Sequence, residues 1–379
     1  MSISQFPSAP PVDDDRMEAM ASASSSSAVN TPSYSDDLWG RGTPCPYDEV
    51  VDVRSPAEFA EDNIPGSVNL PVLSDAERVE VGTIYCRVGT FAARKIGAAY
   101  VSANIARHLR EHFAGKEKDY RPFVYCWRGG QRSASLALVL AQVGWRVTVL
   151  RGGYKTYRKF VRRELDAVLP QFEYRIVAGA TGTGKTRLLH AMAARGAQVL
   201  DLEKLAQHRG SVLGGGGSQP TQKYFDSLLL AAVDRFAPDA PIWVEAESNR
   251  IGNVYLHPAL WAKMRAARGV EVQLSAEGRV HLLLAEYSNL IAEPGELREK
   301  LRRLTPLHGP RQIEAWCRLT EAGAWGELVA SLLAVHYDPA YAKSTRHCYP
   351  HVSQKVTLES PTAAVIDELA ATLHHSATS

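Results

Sequence analysis

The sequence lacks the features that would point to an exported or membrane-embedded protein. Its first residues contain no basic segment followed by an apolar one, so they do not resemble a secretory signal. No apolar run approaches the roughly 20 residues that are needed to span a bilayer. We therefore expect a soluble protein of the cytoplasm, without a membrane partner.

Cysteine is scarce, and no two cysteines have the spacing of a CxxC pair. A disulfide framework and a zinc knuckle are both disfavoured by this pattern. In a reducing cytosol, a special cysteine would be present for its reactivity. The 379 residues contain only five, spread widely along the chain: Cys45, Cys86, Cys126, Cys317 and Cys348.

Excess charge of one sign is also absent, since the formal net charge is only +2. A nucleic-acid partner must therefore be argued from local basic patches. The apolar fraction of 45% and the charged fraction of 22% are typical of a globular protein. The length allows two ordinary domains.

Composition divides the chain into five parts. Residues 1–40 are rich in Ser, Ala, Pro and Asp, and we expect a disordered tail there, with order beginning near Tyr47. Strands then alternate with helices in two units, over 41–160 and 174–360, which predicts α/β domains with mainly parallel sheets. We interpret 161–173 as a linker helix and 361–379 as a second tail.

The hydrophobic pattern predicts where the main elements lie. The second unit should become helical beyond about residue 285, and the glycine run 214–217 should be a flexible loop. A helix over 133–143 should end at Gly144, because glycine favours the left-handed conformation that ends a helix. Strands are predicted at 50–53, 123–125, 146–150, 174–178, 197–200, 242–244 and 270–274.

The first constellation with chemical meaning surrounds Cys126. It follows a predicted strand, and a short loop with Gly129 and Gly130 leads into the next helix. Backbone N–H groups in such a loop point inward and meet the positive end of the helix dipole. We expect these groups, with Arg128 and Arg132, to depress the thiol pKa and to bind an oxyanion.

The loop length leaves two chemistries open. The spacing Cys-x5-Arg occurs in cysteine-based phosphatases, whereas ordinary sulfurtransferase loops are one residue shorter. A wider loop suits a tetrahedral oxyanion, and both a phosphate ester and selenophosphate meet that requirement.

The second constellation is a phosphate-binding loop, which matches G-x-x-x-x-G-K-[ST] over 179–186. An apolar strand precedes the loop and a helix follows it, so that backbone N–H groups can surround a pyrophosphate. Lys185 would neutralise a terminal phosphate, and Thr186 could ligand Mg²⁺. The candidate phosphate-binding residues are Gly179, Thr181, Gly182, Thr183, Gly184, Lys185 and Thr186.

Three carboxylates are candidate partners of this loop. Asp201 ends one predicted strand, and Glu245 and Glu247 follow another. Ligands of open α/β sheets bind at the carboxyl ends of strands, so these side chains could converge there. A carboxylate at a strand end is often simply solvated, and both interpretations stay open for each of the three.

Several segments of the sequence, together with the two loops, resemble known protein families. Segments 52–59 and 63–70 resemble the paired signatures of rhodanese domains, which pass sulfur or selenium through a cysteine. The chain contains both the cysteine loop and, after it, the phosphate loop, and this combination resembles the tRNA 2-selenouridine synthase family. Further matches are segments 74–78, 81–83, 152–155, 208–211, 245–248, 251–252 and 336–341.

This resemblance implies a rhodanese-like α/β domain followed by a P-loop NTPase-like α/β domain with a helical C-terminal part. It implies replacement of the sulfur of wobble 2-thiouridine in tRNA by selenium. The sulfur is first alkylated by geranyl diphosphate, and the geranylthio group is then displaced by selenium from selenophosphate. On this basis Cys126 accepts or orients selenium, and the P-loop holds the prenyl diphosphate. No tightly bound cofactor is expected, apart from Mg²⁺ as a candidate, and a selenophosphate-producing enzyme is a candidate partner.

A tRNA surface should be basic and partly aromatic. Segment 154–163 fits this description best, and in a helix Lys155, Arg158, Lys159 and Arg162 would share one face. An ordinary solvated helix between domains explains the same pattern.

Two other functions remain open. One is a rhodanese-fold cysteine phosphatase with a regulatory nucleotide-binding domain, and the other is a P-loop kinase with an inactive rhodanese module. Each explains one of the two loops and leaves the downstream matches unexplained.

Overall fold

The structure of this protein is a computed structural model, and it describes residues 30–40, 42–208 and 218–378. The predicted glycine loop at 214–217 and part of the matched segment 208–211 lie outside these ranges. Among the described residues, no helix is both long enough and apolar enough to cross a membrane. Two parallel five-stranded sheets, each with its own helices, confirm the predicted α/β class.

The first sheet has the order β1-β5-β4-β2-β3, and all neighbouring strands in it are parallel. A capping box of Ser74 and Glu77 starts its second helix, and Gly144 ends the fourth in the left-handed conformation as predicted. The strands are β1 Ser33–Ser35, β2 Glu49–Asp52, β3 Val68–Asn69, β4 Pro122–Tyr125 and β5 Thr148–Leu150. The helices are α1 Pro56–Glu61, α2 Asp75–Arg87, α3 Thr90–Glu111 and α4 Gln131–Val143.

Helix α5, Tyr154–Val168, joins the two sheets and is followed by a short 3₁₀ turn, Leu169–Gln171. Its buried residues recur every three or four positions, which places them on one face: Tyr154, Tyr157, Val161, Leu165 and Val168. This face belongs to one continuous core cluster that includes Tyr125 of the first sheet and Phe225 of the second unit. The prediction of a separate linker helix over 161–173 is therefore wrong, because the helix starts earlier and is part of the shared core.

The second sheet has the order β12-β11-β6-β8-β7 and is also parallel throughout. A small antiparallel pair, β9 and β10, lies apart from it. The strands are β6 Tyr174–Ala178, β7 Gln198–Leu200, β8 Ile242–Glu245, β9 Arg250–Ile251, β10 Val254–Tyr255, β11 Arg268–Gln273 and β12 Val352–Thr357. The helices before β11 are α6 Lys185–Ala194, α7 Leu202–Leu205, α8 Gln222–Val233 and α9 Pro258–Ala266.

A helical insertion between β11 and β12 confirms the predicted helical C-terminal part. Its own apolar core contains Leu301, Ile313 and Trp316. The helices are α10 Ala276–Glu286, α11 Ser288–Ala292, α12 Pro294–Arg302, α13 Thr305–Glu321, α14 Trp325–Leu332 and α15 Asp338–Cys348, with a π-helical turn Leu333–Tyr337 before the last. A final helix, α16 Ala363–Thr378, follows β12.

Both predicted tails are wrong in their extent. Strand β1 lies inside the predicted N-terminal tail 1–40, and it pairs with β5 through main-chain hydrogen bonds that its polar side chains do not reveal. The predicted C-terminal tail 361–379 contains α16, which packs against α6; its residues Ile366, Ala370 and Leu373 belong to a core cluster that also includes residues of β11. These contacts are long-range and cannot be read from local composition.

The packing of α16 makes a test of this correction possible. Leu373 is 3% exposed, and Leu373→Ala should lower the free energy of unfolding by about 2–5 kcal/mol, since the truncation leaves a cavity. Leu307, which is 69% exposed, provides the control, because Leu307→Ala removes no buried contact. Denaturant unfolding measures both, and equal stability of the two variants would contradict a structural role for α16.

Candidate active site

Cys126 lies in the loop between β4 and α4, as the sequence predicts. Its side chain is only 3% exposed, and the hydroxyl of Ser133 donates a hydrogen bond to its sulfur at 3.2 Å. Ser133 is itself buried in the first turn of α4. The sulfur is therefore held at the amino end of the helix, where the helix dipole favours a negative charge.

The same loop offers several donors to an anion. Within the part of the chain that the structure describes, the backbone N–H groups of residues 128–131 donate no hydrogen bond. Arg128 is exposed and forms no ion pair with a described residue. These groups can bind an oxyanion without first giving up a protein partner.

Arg132 forms an ion pair that the sequence did not predict, and its role in binding an oxyanion stays a prediction. Its guanidinium forms an ion pair with Glu58 at 2.6 Å, and both side chains are largely buried. Burial acts to raise the pKa of Glu58, but the hydrogen bonds and charge of Arg132 outweigh it and hold the pKa below its usual value. Arg132 therefore ties the loop to α1, and Arg128 is the cation left available for a ligand.

Two glycines allow the cysteine loop to pack against the start of α5. Gly129 has φ of +62°, and a Cβ there would lie 2.5 Å from the carbonyl oxygen of Leu150. At Gly153, with φ of +55°, a Cβ would overlap the carbonyl oxygen of Cys126. The backbone N–H of Tyr154 donates to that same carbonyl at 2.7 Å. The matched segment 152–155 is thus explained as the support of the cysteine loop.

The phosphate loop lies between β6 and α6, as predicted. The backbone N–H groups of residues 182 and 184–186 donate no hydrogen bond to any described residue. Thr183 directs its hydroxyl to the carbonyl of Ala180 at 2.9 Å, which stabilises the turn. The loop therefore presents a set of donors at the amino end of a helix, the usual arrangement for binding phosphate.

Lys185 and Thr186 both contact Glu245 at the end of β8. The lysine Nζ lies 3.2 Å from one carboxylate oxygen, and the threonine hydroxyl donates to the other at 3.0 Å. Burial alone would lower the pKa of Lys185, but the charges of Glu245 and Glu247 outweigh it and raise that pKa. The lysine is therefore charged, and it lies beside the N–H groups of the loop that donate to no described residue.

Glu247 and the unpredicted Glu203 complete a cluster with Glu245. One carboxylate oxygen from each lies within 4.8 Å of the others. Burial, followed by the charges of its two neighbours, raises the pKa of Glu247. Hard oxygen ligands beside the Thr186 hydroxyl suit Mg²⁺. Glu203 follows Asp201 by two residues, but nothing in its spacing marks it as the one that faces the loop.

Asp201 does not join this cluster. Its carboxylate accepts the backbone N–H of Lys204, which caps α7, and it lies 2.9 Å from His190. The proposed role of Asp201 as an acidic partner of the P-loop is therefore not supported, because the capping bond turns the side chain to its own helix.

The four basic residues that were predicted to share one face of α5 do not all have the same surroundings. Lys155, Lys159 and Arg162 are exposed and form no ion pair with a described residue. Arg158 points to the other side, where it pairs with Asp226 of α8 and lies 3.8 Å from the buried Asp62. The prediction that Arg158 belongs to an open tRNA surface is therefore wrong, since it joins the two domains.

Asp62, which the sequence did not reveal, is the centre of that contact. It is fully buried and accepts hydrogen bonds from Tyr154 and from Ser227 of the second domain, each at 2.8 Å. Burial raises the pKa of Asp62 more than these partners lower it. A lone aspartate after a short helix carries no local signal for such a role.

Arg279 was also missed by the sequence interpretation. Its Nε donates to the carbonyl of Thr181 at 2.8 Å, and its two terminal nitrogens bind the carboxylate of Asp338. Part of the matched segment 336–341 therefore supports the P-loop from the helical insertion.

The raised pKa of Glu247 predicts a pH-dependent cation site. A bound cation requires the ionised carboxylate, so the affinity for Mn²⁺, used as a probe for Mg²⁺, should rise as the pH rises through that raised pKa and weaken as the pH falls. Glu247→Gln should lower the affinity and flatten this dependence. Calorimetry with Mn²⁺ and inorganic pyrophosphate at several pH values measures it, with Asp201→Asn as the control. An unchanged pH profile in Glu247→Gln would exclude this carboxylate from the site.

Comparison with known proteins agrees with this architecture. A family model described as the tRNA 2-selenouridine synthase AAA domain matches residues 172–301, and a rhodanese-like domain model matches residues 36–160. A relative from Nitrosomonas europaea that is named tRNA 2-selenouridine synthase is 34% identical over 262 residues, which cover 68% of this chain and 67% of the relative.

Two more relatives carry the same name. The one from Nitrosomonas eutropha is 32% identical over 296 residues, which cover 76% of this chain and 74% of the relative. The one from Cupriavidus necator is 34% identical over 330 residues, with 77% and 87% covered. Because the similarity extends over both domains and most of each relative, the chain belongs to the tRNA 2-selenouridine synthase family.

Proposed function

We propose that this protein replaces the sulfur of a wobble 2-thiouridine in tRNA with selenium. The observation that carries the proposal is the presence of two separate anion sites in one body, one beside a cysteine and the other beside a lysine. Family membership and the names of the relatives support the same reaction. A phosphatase or a kinase would need only one of the two sites.

The P-loop domain performs the first step of the proposed sequence, with geranyl diphosphate as the donor. The diphosphate binds the N–H groups of residue 182 and of residues 184–186 together with the Lys185 side chain, and Mg²⁺ on the carboxylate cluster would balance its charge. The thiocarbonyl sulfur attacks C1 of the geranyl group, the C–O bond breaks, diphosphate leaves and the ring nitrogen loses its proton. The product thioether is a better leaving group than the original thiocarbonyl sulfur.

The cysteine loop performs the second step, with selenophosphate as the donor. Its phosphoryl oxygens bind the N–H groups of residues 128–131 and Arg128, which places the selenium near Cys126. Selenium then attacks C2 of the pyrimidine and geranylthiolate leaves, while water takes the phosphoryl group as the Se–P bond breaks. Cys126 orients the selenium during this transfer, and no bond between its sulfur and the selenium is required.

The exposed cations of α5 give the tRNA a path to the cysteine loop. The backbone N–H of Lys155 donates to the carbonyl of Trp127 at 3.3 Å, so the first of these cations is attached to the loop itself. Lys159 and Arg162 continue the same face along the helix. Phosphates of the tRNA backbone would bind along this stripe.

Because each of the two loops is assigned one step of the reaction, a variant in each loop should lose a different step. With purified protein and thiolated tRNA, Cys126→Ala should retain geranylation and lose selenation, because only the second step uses the thiol. Lys185→Ala should lose geranylation by about a hundredfold or more, since an uncompensated diphosphate charge develops as the bond breaks. Mass spectrometry of the tRNA nucleosides separates the two products.

The exposed Cys86 provides the matched control, and Cys86→Ala should leave both steps unchanged. Selenouridine formation at the normal rate by Cys126→Ala would refute the role assigned to this thiol.

The tRNA path predicts a salt-dependent binding defect. The double variant Lys159→Glu with Arg162→Glu should weaken tRNA binding by about tenfold or more and flatten its dependence on salt, since fewer counterions are released. Filter binding at several salt concentrations measures this. Lys355→Glu, an exposed site on β12, serves as the control. If the double variant binds with the affinity and salt slope of the parent, α5 does not contact tRNA.

A further inference from the structure

We infer that an apolar pocket beside the P-loop holds the hydrocarbon chain of the prenyl diphosphate. This inference rests on the proposed function, since it concerns the donor of the first step. The pocket lies between α10 and α14 of the helical insertion, and Thr181 of the P-loop forms one of its walls. Leu283, Leu284, Trp325 and Val329 are among the residues that form the other walls.

The pocket and the phosphate loop share a wall that is fixed in place. A Cβ at Gly182 would lie 2.8 Å from the Cδ1 atom of Leu283, so α10 packs directly on the P-loop backbone. Arg279 of the same helix binds the carbonyl of Thr181 and is held by Asp338, as described above. A ligand whose diphosphate binds the N–H groups after residue 181 can therefore pass its tail over Thr181 into the pocket.

The side chains that line the pocket determine which kind of ligand it can hold. The lining consists of aliphatic and aromatic side chains together with Thr181, whose carbonyl is already bound by Arg279, and its few side-chain polar groups include the hydroxyls of Thr181, Tyr287 and Tyr337. A nucleotide base placed there would lose more hydrogen bonds to water than these few groups can replace. An isoprenoid chain has no such groups and is stabilised by leaving water. Among ligands with a diphosphate at one end, a prenyl diphosphate fits this pocket and a nucleotide does not.

The size of the pocket limits the length of the chain. Its volume is about 60 Å³, and one water-sized sphere needs about 10–15 Å³. The space therefore suits about one isoprene unit. The first unit of a geranyl group would span Thr181, and the terminal unit would enter the pocket.

A change that fills the pocket tests this inference. Val329 is half-buried on α14, and Val329→Phe should weaken the binding of geranyl diphosphate by about tenfold or more, because the terminal unit loses its site. Binding of dimethylallyl diphosphate and of inorganic pyrophosphate should remain within about twofold. Calorimetry on the full chain measures all three ligands, and Val335→Phe is the control, since Val335 is 41% exposed.

A second variant enlarges the pocket and keeps the test decisive if the first fails to fold. Leu284 is half-buried on α10. Leu284→Ala should shift the preference from geranyl towards farnesyl diphosphate by about tenfold, because it makes room for additional carbons. Competition between the two donors for transfer to thiolated tRNA reports this shift.

The outcomes separate this inference from the function on which it rests. If the parent protein binds geranyl diphosphate no more tightly than pyrophosphate, or if Val329→Phe and Leu284→Ala keep its chain-length preference, the pocket is not the prenyl site. If the preference exists and responds to both variants while no geranyl group reaches tRNA, the pocket assignment stands and the alkylation step of the proposed function is wrong.

Discussion

The close packing of α5 on the cysteine loop is the constraint on which the rest of the structure depends. Gly153 brings the first turn of the helix against the carbonyl of Cys126, and the opposite end of the helix is buried in the core of the second domain. A side chain at this glycine would separate the two backbones. The cysteine site is therefore built partly from the helix that anchors the P-loop domain, so the two sites are connected through one continuous core.

A buried network of hydrogen bonds determines the orientation in which the two domains pack against each other. Asp62 accepts hydrogen bonds from α5 and α8, while Arg54 donates to its backbone carbonyl at 2.6 Å. Buried polar groups without partners are costly, so the domains must meet in the one orientation that satisfies Asp62. Apolar packing alone would tolerate small rotations. The network thus accounts for a fixed relation between the domains.

In each of the two anion sites, a largely buried cationic side chain is paired with a glutamate. Lys185 is paired with Glu245 and Arg132 with Glu58, because a buried charge without a partner would destabilise the fold by several kcal/mol. In the proposed function, a diphosphate would replace Glu245 as the partner of Lys185, and Glu245 would then be available to a cation. At the cysteine loop the exposed Arg128 needs no such partner, and it can meet an anion while Arg132 continues to hold the loop.

The sequence predicted the parts of this protein that local patterns determine. Strand β6 and the loop of residues 179–186 lie where the strand-glycine-helix pattern placed them, and so does the helix that ends at Gly144. The errors concern residues whose roles depend on distant partners. Arg158 shares a helical face with Lys155, but Asp226 is 68 residues away and draws it into the interface. Strand β1 and helix α16 were missed for the same reason.

If the proposed alkylation takes place at the P-loop, the helical insertion gives a physical reason why it belongs beside the phosphate site. An allylic carbon becomes electron-deficient as diphosphate leaves, and water competes with the thiocarbonyl sulfur for it. The proposed chain pocket would exclude water from one side of the reacting carbon, while Arg279 keeps the α10 wall attached to the P-loop. Opening that wall would disturb the phosphate loop as well. In the proposed reaction, alkylation of the sulfur would be favoured over hydrolysis, because the contacts that position the leaving group would also exclude water from the prenyl chain.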